Sequence, residues 1–536
     1  MKRIHLLMLA LLSAALFSIS WPARGFPAFL FAAFIPLFII EDYFTRPPRR
    51  RSTFQVFLYS YLAFVIWNLL TTWWVSNSTL FGGVFAIVCN SLFMSITFIT
   101  YHWSRKKIFG PGRGHVILAF FWITFEFLHQ DWDLTWSWLN LGSGFDSKPQ
   151  WVQWYEYTGI FGGAVWVILA NVFIYNLILN LKVKRQRAAW ITYSAILIML
   201  PLCLSLVRFY TYKESGKAIE AVAVQPNIDP YKEQYNLEPS EIMARIFTLA
   251  EKQITPNTAL LVCPESAIQE DIWENNLENC PSFRELQDFL MKHPQLKIII
   301  GASTFYKFKP GDSLPSSARF AKSLNFWYDA YNTALFTDTS RNYFTYHKSK
   351  LVVGVEKMPF PKYLKWLDKY ALDMGGTIGT LGISPDRLAF PILKDSAKVG
   401  TSICYESVYG EFVSGFVRNG AQLLCIITND GWWKDTPGHR QHLKFAALRA
   451  IETRRSIVRS ANTGISCFVN PKGEILQATK YWEAAVIKGN VSLNTEMTFY
   501  VKYGDYIARF AMYASAMLFL LSIGLSIKNR NKEELT

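Results

Sequence analysis

Lys398-Val-Gly-Thr-Ser-Ile-Cys-Tyr-Glu406 decides the fold of the larger part of this chain. Its Val399–Ile403 portion is short and β-rich, and an amphipathic segment near 407–419 follows, so Cys404 falls where a strand hands over to a helix. A thiol at such a turn is held out of the sheet and gains thiolate character from the helix N-terminus, the setting of a nucleophile rather than of a packing residue. Two residues upstream share that setting. Glu265 follows the strand-like run Leu260-Leu-Val-Cys-Pro264, with Pro264 fixing the exit from the sheet, and Lys348 closes Tyr343-Phe-Thr-Tyr-His-Lys348. In open α/β sheets, sites gather at the carboxyl ends of strands.

Each residue type suits covalent acyl chemistry. A carboxylate in a poorly hydrated pocket has its pKa raised, so Glu265 is placed to accept a thiol proton and return it to a leaving group. The Lys348 ammonium is suited to stabilise a thiolate and the oxyanion of a tetrahedral intermediate, while Glu356, eight residues on, holds it in place. Glu406 has two readings that the sequence leaves level: a cap on the following helix, or a further charge in the pocket.

Outward from this motif, residues 211–500 read as α/β. Runs at 218–225, 258–263, 296–300, 399–403 and 423–428 alternate with amphipathic segments near 238–254, 282–293, 407–419 and 438–454, and β-rich stretches at 331–352 and 457–480 look antiparallel, the second around the turn Pro471-Lys-Gly473. Mixed sheets covered by helices fit this order.

The flanks are of another kind. Apolar runs at 4–20, 25–42, 54–75, 80–102, 114–129, 158–181, 188–209 and 506–526 approach the ~20 residues that cross a bilayer. Eight spans follow, seven before the α/β region and one after it, giving a membrane domain at 1–210, a catalytic domain at 211–500 and a last span with its tail at 501–536. The first run, after Met1-Lys2-Arg3, lacks a good cleavage site and is read as a retained helix. Basic residues collect on one side: Lys2, Arg3, Arg46, Arg49, Arg50, Arg51, Arg105, Lys106, Lys107, Arg113, Lys182, Lys184, Arg185, Arg187, Lys528, Arg530 and Lys532, against Arg24 and Lys148 in the opposite short loops. By the positive-inside rule both termini are cytoplasmic and 211–500 lies outside the cytoplasm.

Composition agrees with two regimes. The 536 residues are 51% hydrophobic yet 18% charged, too mixed for all membrane or all soluble. The net charge of +15 owes much to those short flanking segments and reads as a topology signal, not as a nucleic-acid partner. The 7 cysteines form no CxxC and indicate neither a disulfide framework nor a zinc site, and His439 and His442, without a third ligand nearby, read as polar loop residues. Two segments keep two readings each. The loop 130–157, with Trp132, Trp136, Trp138, Trp151, Trp154, Tyr155 and Tyr157, is an interfacial belt or a prop and lipid path for the soluble domain. Segment 357–373, with Tyr363, Leu367 and Tyr370 at helical spacing among lysines, packs on its domain or forms an interfacial arm that gates lipid access.

The order Glu265, Lys348, Cys404, in Pro-Glu, Tyr-His-Lys and Cys-Tyr-Glu contexts, resembles the nitrilase superfamily. With seven spans before it and one after, the chain resembles the apolipoprotein N-acyltransferase family over nearly its whole length, including Trp138-Leu-Asn-Leu-Gly142, Tyr157-Thr-Gly-Ile-Phe-Gly-Gly163, Val224-Gln-Pro-Asn-Ile228, Asn429-Asp-Gly-Trp-Trp433, Gln441-His442, Arg449-Ala-Ile-Glu452 and Arg459-Ser-Ala-Asn-Thr-Gly-Ile465. Cys263 departs from the family's usual Trp before Pro-Glu, and Leu351-Val-Val-Gly-Val-Glu356 from a more usual Leu-Val-Pro-Phe-Gly-Glu.

The resemblance implies an αββα sandwich beside an eight-helix bundle, with Glu265 as base, Lys348 as oxyanion stabiliser and Cys404 as nucleophile, aided by Glu356, Tyr405 and Glu406. It implies no cofactor or metal, and an inner-membrane enzyme with its catalytic domain in the periplasm. The partners implied are a phospholipid donor, usually phosphatidylethanolamine, and diacylated apolipoproteins that receive the acyl chain on their N-terminal amine. A membrane-tethered amidase with water as acceptor is the competing expectation.

Overall fold

The computed structural model describes residues 1–21, 25–46, 52–360, 380–393 and 397–535. Arg24, Arg49, Arg50, Arg51 and the greater part of the arm read at 357–373, from 361 on, lie outside the described residues. The chain forms two compact units, one of Met1–Thr211 with Tyr503–Thr536, the other of Tyr212–Lys502.

In the first unit, among the described residues, seven helices are long and apolar enough to cross a membrane: Arg3–Ser20, Pro27–Thr45, Ser52–Asn77, Leu80–Phe109, Tyr155–Leu179, Lys184–Thr211 and Tyr506–Arg530. An eighth apolar segment stands where the sequence puts a span but is shorter, His115–Leu128, built of helical pieces of 3 and 11 residues. At 1.5 Å per residue it rises only about 21 Å. The Pro27–Thr45 span breaks at Ala33–Phe34, and Asn171 mends the break by accepting from the Phe34 N–H at 2.8 Å and donating to the Leu30 carbonyl at 2.7 Å. Arg105 pairs with Glu41 and with Asp42 at 3.2 Å, while His102 Nδ1 lies 2.6 Å from Glu41, so charges taken into this unit are buried as a closed group. The aromatic loop divides. Trp138 sits edge-on to Trp74 and Tyr155 donates to the Gly142 carbonyl at 2.7 Å, both buried, whereas Trp132 and Tyr157 stay exposed.

The second unit holds, among the described residues, β1 (Ala218–Gln225), β2 (Thr258–Val262), β3 (Ile268–Trp273), β4 (Lys297–Lys307), β5 (Arg319–Ala321), β6 (Phe326–Thr337), β7 (Tyr343–His347), β8 (Ala389–Pro391), β9 (Lys398–Ile403), β10 (Ala421–Thr428), β11 (Ile457–Ala461), β12 (Cys467–Val469), β13 (Ile475–Leu476) and β14 (Ala485–Ser492). One sheet runs β14-β1-β2-β4-β6-β5, with β3 beside β4 and β7 beside β6; the other runs β13-β12-β11-β10-β9-β8. Parallel pairing of β1, β2 and β4, and of β9, β10 and β11, forms the centre of each sheet. The stretch 457–480 is antiparallel within itself, β11 with β12 and β12 with β13, while β11 also pairs parallel with β10 on its other side. A polar turn read from sequence marks a hairpin, but which neighbour the first strand chooses is a tertiary decision.

Alternation explains the layers. Val222, Val224, Leu261, Ile298 and Ile300 face the helices Pro239–Glu251 and Pro281–Lys292, which return Ile242, Met243, Ile246, Phe283, Leu286 and Leu290 at helical spacing. The intervening Ala221, Ala223, Leu260 and Ile299 are buried too, on the face turned to the second sheet, where the Ser460 hydroxyl donates to the Val224 carbonyl at 2.7 Å. Helices Gly410–Arg418 and Pro437–Thr453 accompany the second sheet. The result is an αββα sandwich.

Gly301 in β4 shows how closely the site is supported. A Cβ there would lie 2.5 Å from Glu265 Cα and 2.5 Å from Ser266 N, and the Gly301 N–H donates to the Pro264 carbonyl at 3.0 Å. Gly301→Ala should therefore overpack the backbone that carries Glu265 and cost about 1–3 kcal/mol. Thermal unfolding checks this; a parental midpoint would mean that the β4 backbone yields freely.

Candidate active site

Four chain segments converge on one buried group. Glu265 leaves the sheet just after β2, where Cys263 N donates to the Ile299 carbonyl at 2.7 Å and Ala267 N to the Gly301 carbonyl at 2.9 Å, so the chain stays hydrogen-bonded to β4 on both sides of it. Lys348 follows β7 and its N–H donates to the Asn332 carbonyl of β6 at 2.8 Å. Glu356 lies in a tight turn in which its Oε2 accepts from Val352 N at 2.9 Å. Cys404 follows β9.

The side chains of Glu265, Lys348 and Glu356 meet. Lys348 Nζ donates to Glu265 Oε1 at 3.0 Å and to Glu356 Oε1 at 2.8 Å. Asn332 does the same from its amide: Nδ2 reaches Glu265 Oε1 at 2.8 Å and Glu356 Oε1 at 3.0 Å. The other oxygen of Glu265 accepts from Asn429 N at 2.9 Å. All four side chains are buried, and Cys404 is 7% exposed. Burial alone would pull the Lys348 ammonium down, but Glu265 and Glu356 outweigh it and hold the amine well above its ordinary range.

Cys404 departs from expectation in two ways. A five-residue 3₁₀ turn, Cys404–Val408, follows it, and the α-helix begins only at Gly410, so no helix N-terminus lies at the sulfur. Its thiol is accordingly not depressed: burial, then the Glu265 carboxylate, push it up, against a downward pull from Lys348 and from a hydrogen bond with Thr428. These surroundings favour the protonated thiol of Cys404. Cys404 is also held at φ +51°, left-handed backbone that is uncommon for a side-chain-bearing residue.

Glu406 bonds to both the Cys404 turn and the Lys348 segment. Its Oε2 reaches back to the Ile403 N–H at 2.8 Å, as a carboxylate does at the start of a helical turn. Its Oε1 accepts from Ser349 N at 2.6 Å and from Tyr346 OH at 2.7 Å, so the same side chain staples the Lys348 segment to the Cys404 turn. Tyr405, buried, sets its ring edge-on to Tyr409 at 5.2 Å. A small cavity of about 40 Å³ adjoins the group, lined by Tyr235, Phe305, Tyr331, Asn332, Glu356 and Leu381.

Three contributors escape a reading of the sequence. Asn332 is a lone amide in an otherwise mostly apolar strand run. His439 and His442 are not loop residues: both lie buried on the helix Pro437–Thr453. His442 Nδ1 is 2.8 Å from Asp430 Oδ1, and Asp430 Oδ2 accepts from Arg459 at 2.6 Å. Cys404, Asp430 and His442 bring donor atoms within 4.8 Å of one another, the spacing of a metal site. Asp430, however, already takes hydrogen bonds from Thr428 and Arg459, and the guanidinium neutralises its carboxylate.

With this geometry in hand, relatives are informative. Residues 13–173 match the apolipoprotein N-acyltransferase N-terminal domain and residues 221–498 the carbon–nitrogen hydrolase family. The apolipoprotein N-acyltransferase of Chlorobaculum tepidum is 26% identical over 96% of this chain and 96% of its own. Those of Geobacter metallireducens and Thermotoga maritima are 26% and 24% identical over 96% and 98% of this chain, each along 95% of its own length.

Glu406 yields a pH prediction. Burial raises its carboxyl from 4.5 to about 7, against the pull of the Ile403 and Ser349 N–H groups. A carboxyl raised on folding binds its proton more tightly in the folded protein, so its contribution is full below about 4.5 and is lost as the pH climbs to about 7. The unfolding temperature should fall across that interval, and more steeply in the parent than in Glu406→Gln, whose amide does not titrate. Parallel curves for the two proteins would mean that Glu406 is ionised throughout.

Proposed function

We propose, from the premise that the chain belongs to the carbon–nitrogen hydrolase family, that it transfers an acyl chain from a phospholipid, through a thioester on Cys404, to the N-terminal amine of diacylglyceryl-cysteine on apolipoproteins. The chain is an enzyme and a multi-pass membrane protein, and its likeness to apolipoprotein N-acyltransferases over both units supports lipoprotein maturation as its work. The observation that carries the finer reading is the buried group around Lys348, which unites the expected base, the expected oxyanion stabiliser and a second carboxylate beside the Cys404 turn.

In the proposed first half-reaction Glu265 takes the thiol proton as Cys404 Sγ attacks the ester carbonyl carbon of the donor. The C–S bond forms and the negative oxygen faces the Lys348 charge. Collapse breaks the ester C–O bond, and the lysophospholipid alkoxide leaves with the proton held by Glu265. In the second, the acceptor amine attacks the thioester and gives its proton to Glu265. The C–N bond forms, the C–S bond breaks and Cys404 recovers its proton. Glu356, Asn332 and Glu406 keep these groups in register. Phosphatidylethanolamine is the proposed donor.

Enzyme mixed with phospholipid alone should accumulate a hydroxylamine-sensitive acyl thioester on Cys404, and a diacylated peptide with a free N-terminal amine should discharge it. Cys404→Ser should accumulate little, an alcohol being far harder to ionise than a thiol, and Glu265→Gln should fail to acylate for want of the base. A thioester on another cysteine, or release of free fatty acid as fast without acceptor as with it, would favour the hydrolase.

We place Tyr212–Lys502, the unit that carries the proposed site, on the periplasmic face, with both termini in the cytoplasm. The basic bias of the short loops supports this, counting seven crossings before residue 211. That count includes His115–Leu128, the short helix, so the parity hangs on it. A periplasm-dependent reporter fused near residue 300 should be active; activity of a cytoplasmic reporter there would reverse the orientation.

A further inference from the structure

Cys404 sits in a backbone conformation that an L-residue adopts only under constraint, at a cost on the order of 1–3 kcal/mol. What constrains it is visible at its own carbonyl. The Cys404 oxygen accepts from the Ser407 hydroxyl at 2.8 Å and lies 3.0 Å from His442 Nε2. A carbonyl only accepts, so a bond between them requires a proton on Nε2, which also lies 3.1 Å from the Ser407 hydroxyl. The ring is fixed from behind: Nδ1 lies 2.8 Å from Asp430 Oδ1, Thr428 donates to that same oxygen at 2.7 Å, and Arg459 holds Oδ2 at 2.6 Å. Asp430, His442 and Arg459 are all fully buried, so the arrangement has no freedom to drift into solvent.

Four elements contribute: the end of β10, the turn after it, the helix Pro437–Thr453 and β11. None of these residues carries the proposed proton transfers, which belong to the Lys348 group on the other sheet. A buried chain from guanidinium to carboxylate to imidazole to the nucleophile's own carbonyl is more than packing requires; an apolar core there would avoid burying two opposite charges.

We infer that His442 is a positioning residue: held by Asp430 and Arg459, its Nε2–H clamps the Cys404 carbonyl and so keeps the thiol aimed at Glu265 and Lys348. The inference deepens the proposed thioester mechanism and rests on Cys404 being its nucleophile. Relaxation of the turn toward ordinary φ would rotate the Cα–Cβ bond and move the sulfur, and a displacement near 1 Å at a reacting centre costs on the order of 10²-fold in rate.

Two conservative replacements separate a clamp from a merely structural histidine. A glutamine amide occupies the position of Nε2 and keeps a donor to the carbonyl; an asparagine amide occupies that of Nδ1 and keeps only the Asp430 side. The full-length protein in detergent is treated with iodoacetamide, and alkylation of Cys404 is followed by peptide mass spectrometry, a readout that needs no knowledge of the natural donor. Phospholipid-driven thioester formation is followed in parallel. For His442→Asn, Cys404 alkylation and acylation should both fall, acylation by on the order of 10²-fold with little change in the apparent KM for donor. His442→Gln should regain at least tenfold of the loss in both. Equal values for the two variants, whether both parental or both low, or a His442→Asn that outperforms His442→Gln, would overturn the clamp. If thioester never forms even in the parent while alkylation still follows the Gln-over-Asn order, the acyl-transfer reading fails and the clamp survives.

Discussion

Two carboxylates and one ammonium share a space closed to water, and they are tolerable there only because each is answered. Lys348 and the Asn332 amide each span the same pair of oxygens, Oε1 of Glu265 and Oε1 of Glu356. Burying one unpaired ion costs several kcal/mol, so removal of any member would strand the others. The site's supports follow from that demand. The Glu265 backbone rides on Gly301 with no room for a methyl group, the Lys348 N–H is tied to Asn332, and Glu356 is fixed by its own turn.

The same group sets the state of the nucleophile. Around Cys404 burial raises the thiol first, the Glu265 and Asp430 carboxylates add to it and Lys348 opposes them, so the protonated form is favoured. A protonated sulfur is a poor target for stray electrophiles and a poor metal ligand. On the proposed reading it becomes a nucleophile only when a base accepts its proton as a carbonyl carbon arrives, which would assign timing to Glu265 and leave Lys348, held between two carboxylates, for the charge that develops later. The expectation of a thiolate favoured by a helix N-terminus fails for a local reason: a 3₁₀ turn starts at Cys404 and the first α-helical position is Gly410, five residues lying between.

Most of the sandwich was legible because its strands are short, apolar and punctuated: β1, β2, β9 and β10 begin and end within a few residues of where composition shifts. The proposed triad was legible because reactive residue types stand at strand ends. Asn332 and His442 were not, and the reason is physical. A strand period of two gives the face a residue lies on but not which loop will cross that face, so an amide in β6 cannot announce that two carboxylates will land on it. A histidine pair one turn apart looks the same on a solvated helix as on a buried one until its partners, 12 and 17 residues away at Asp430 and Arg459, are folded against it. In the membrane unit, hydropathy located eight apolar segments but not the shortness of His115–Leu128, nor that Arg105 reaches Glu41 and Asp42 from another helix.

The Lys348 group alone does not choose between an amine and water as the second nucleophile, since either can surrender a proton to Glu265. The choice falls to access. Cys404 is 7% exposed, Glu265 is 6% exposed, and the adjoining cavity is walled by Tyr235, Phe305, Tyr331 and Leu381. A thioester formed in such surroundings is shielded from bulk water. On the proposed reading, transfer over hydrolysis is a property of the burial around the nucleophile, and substitutions that open that lining to solvent would shift the balance toward free fatty acid without touching a reacting atom.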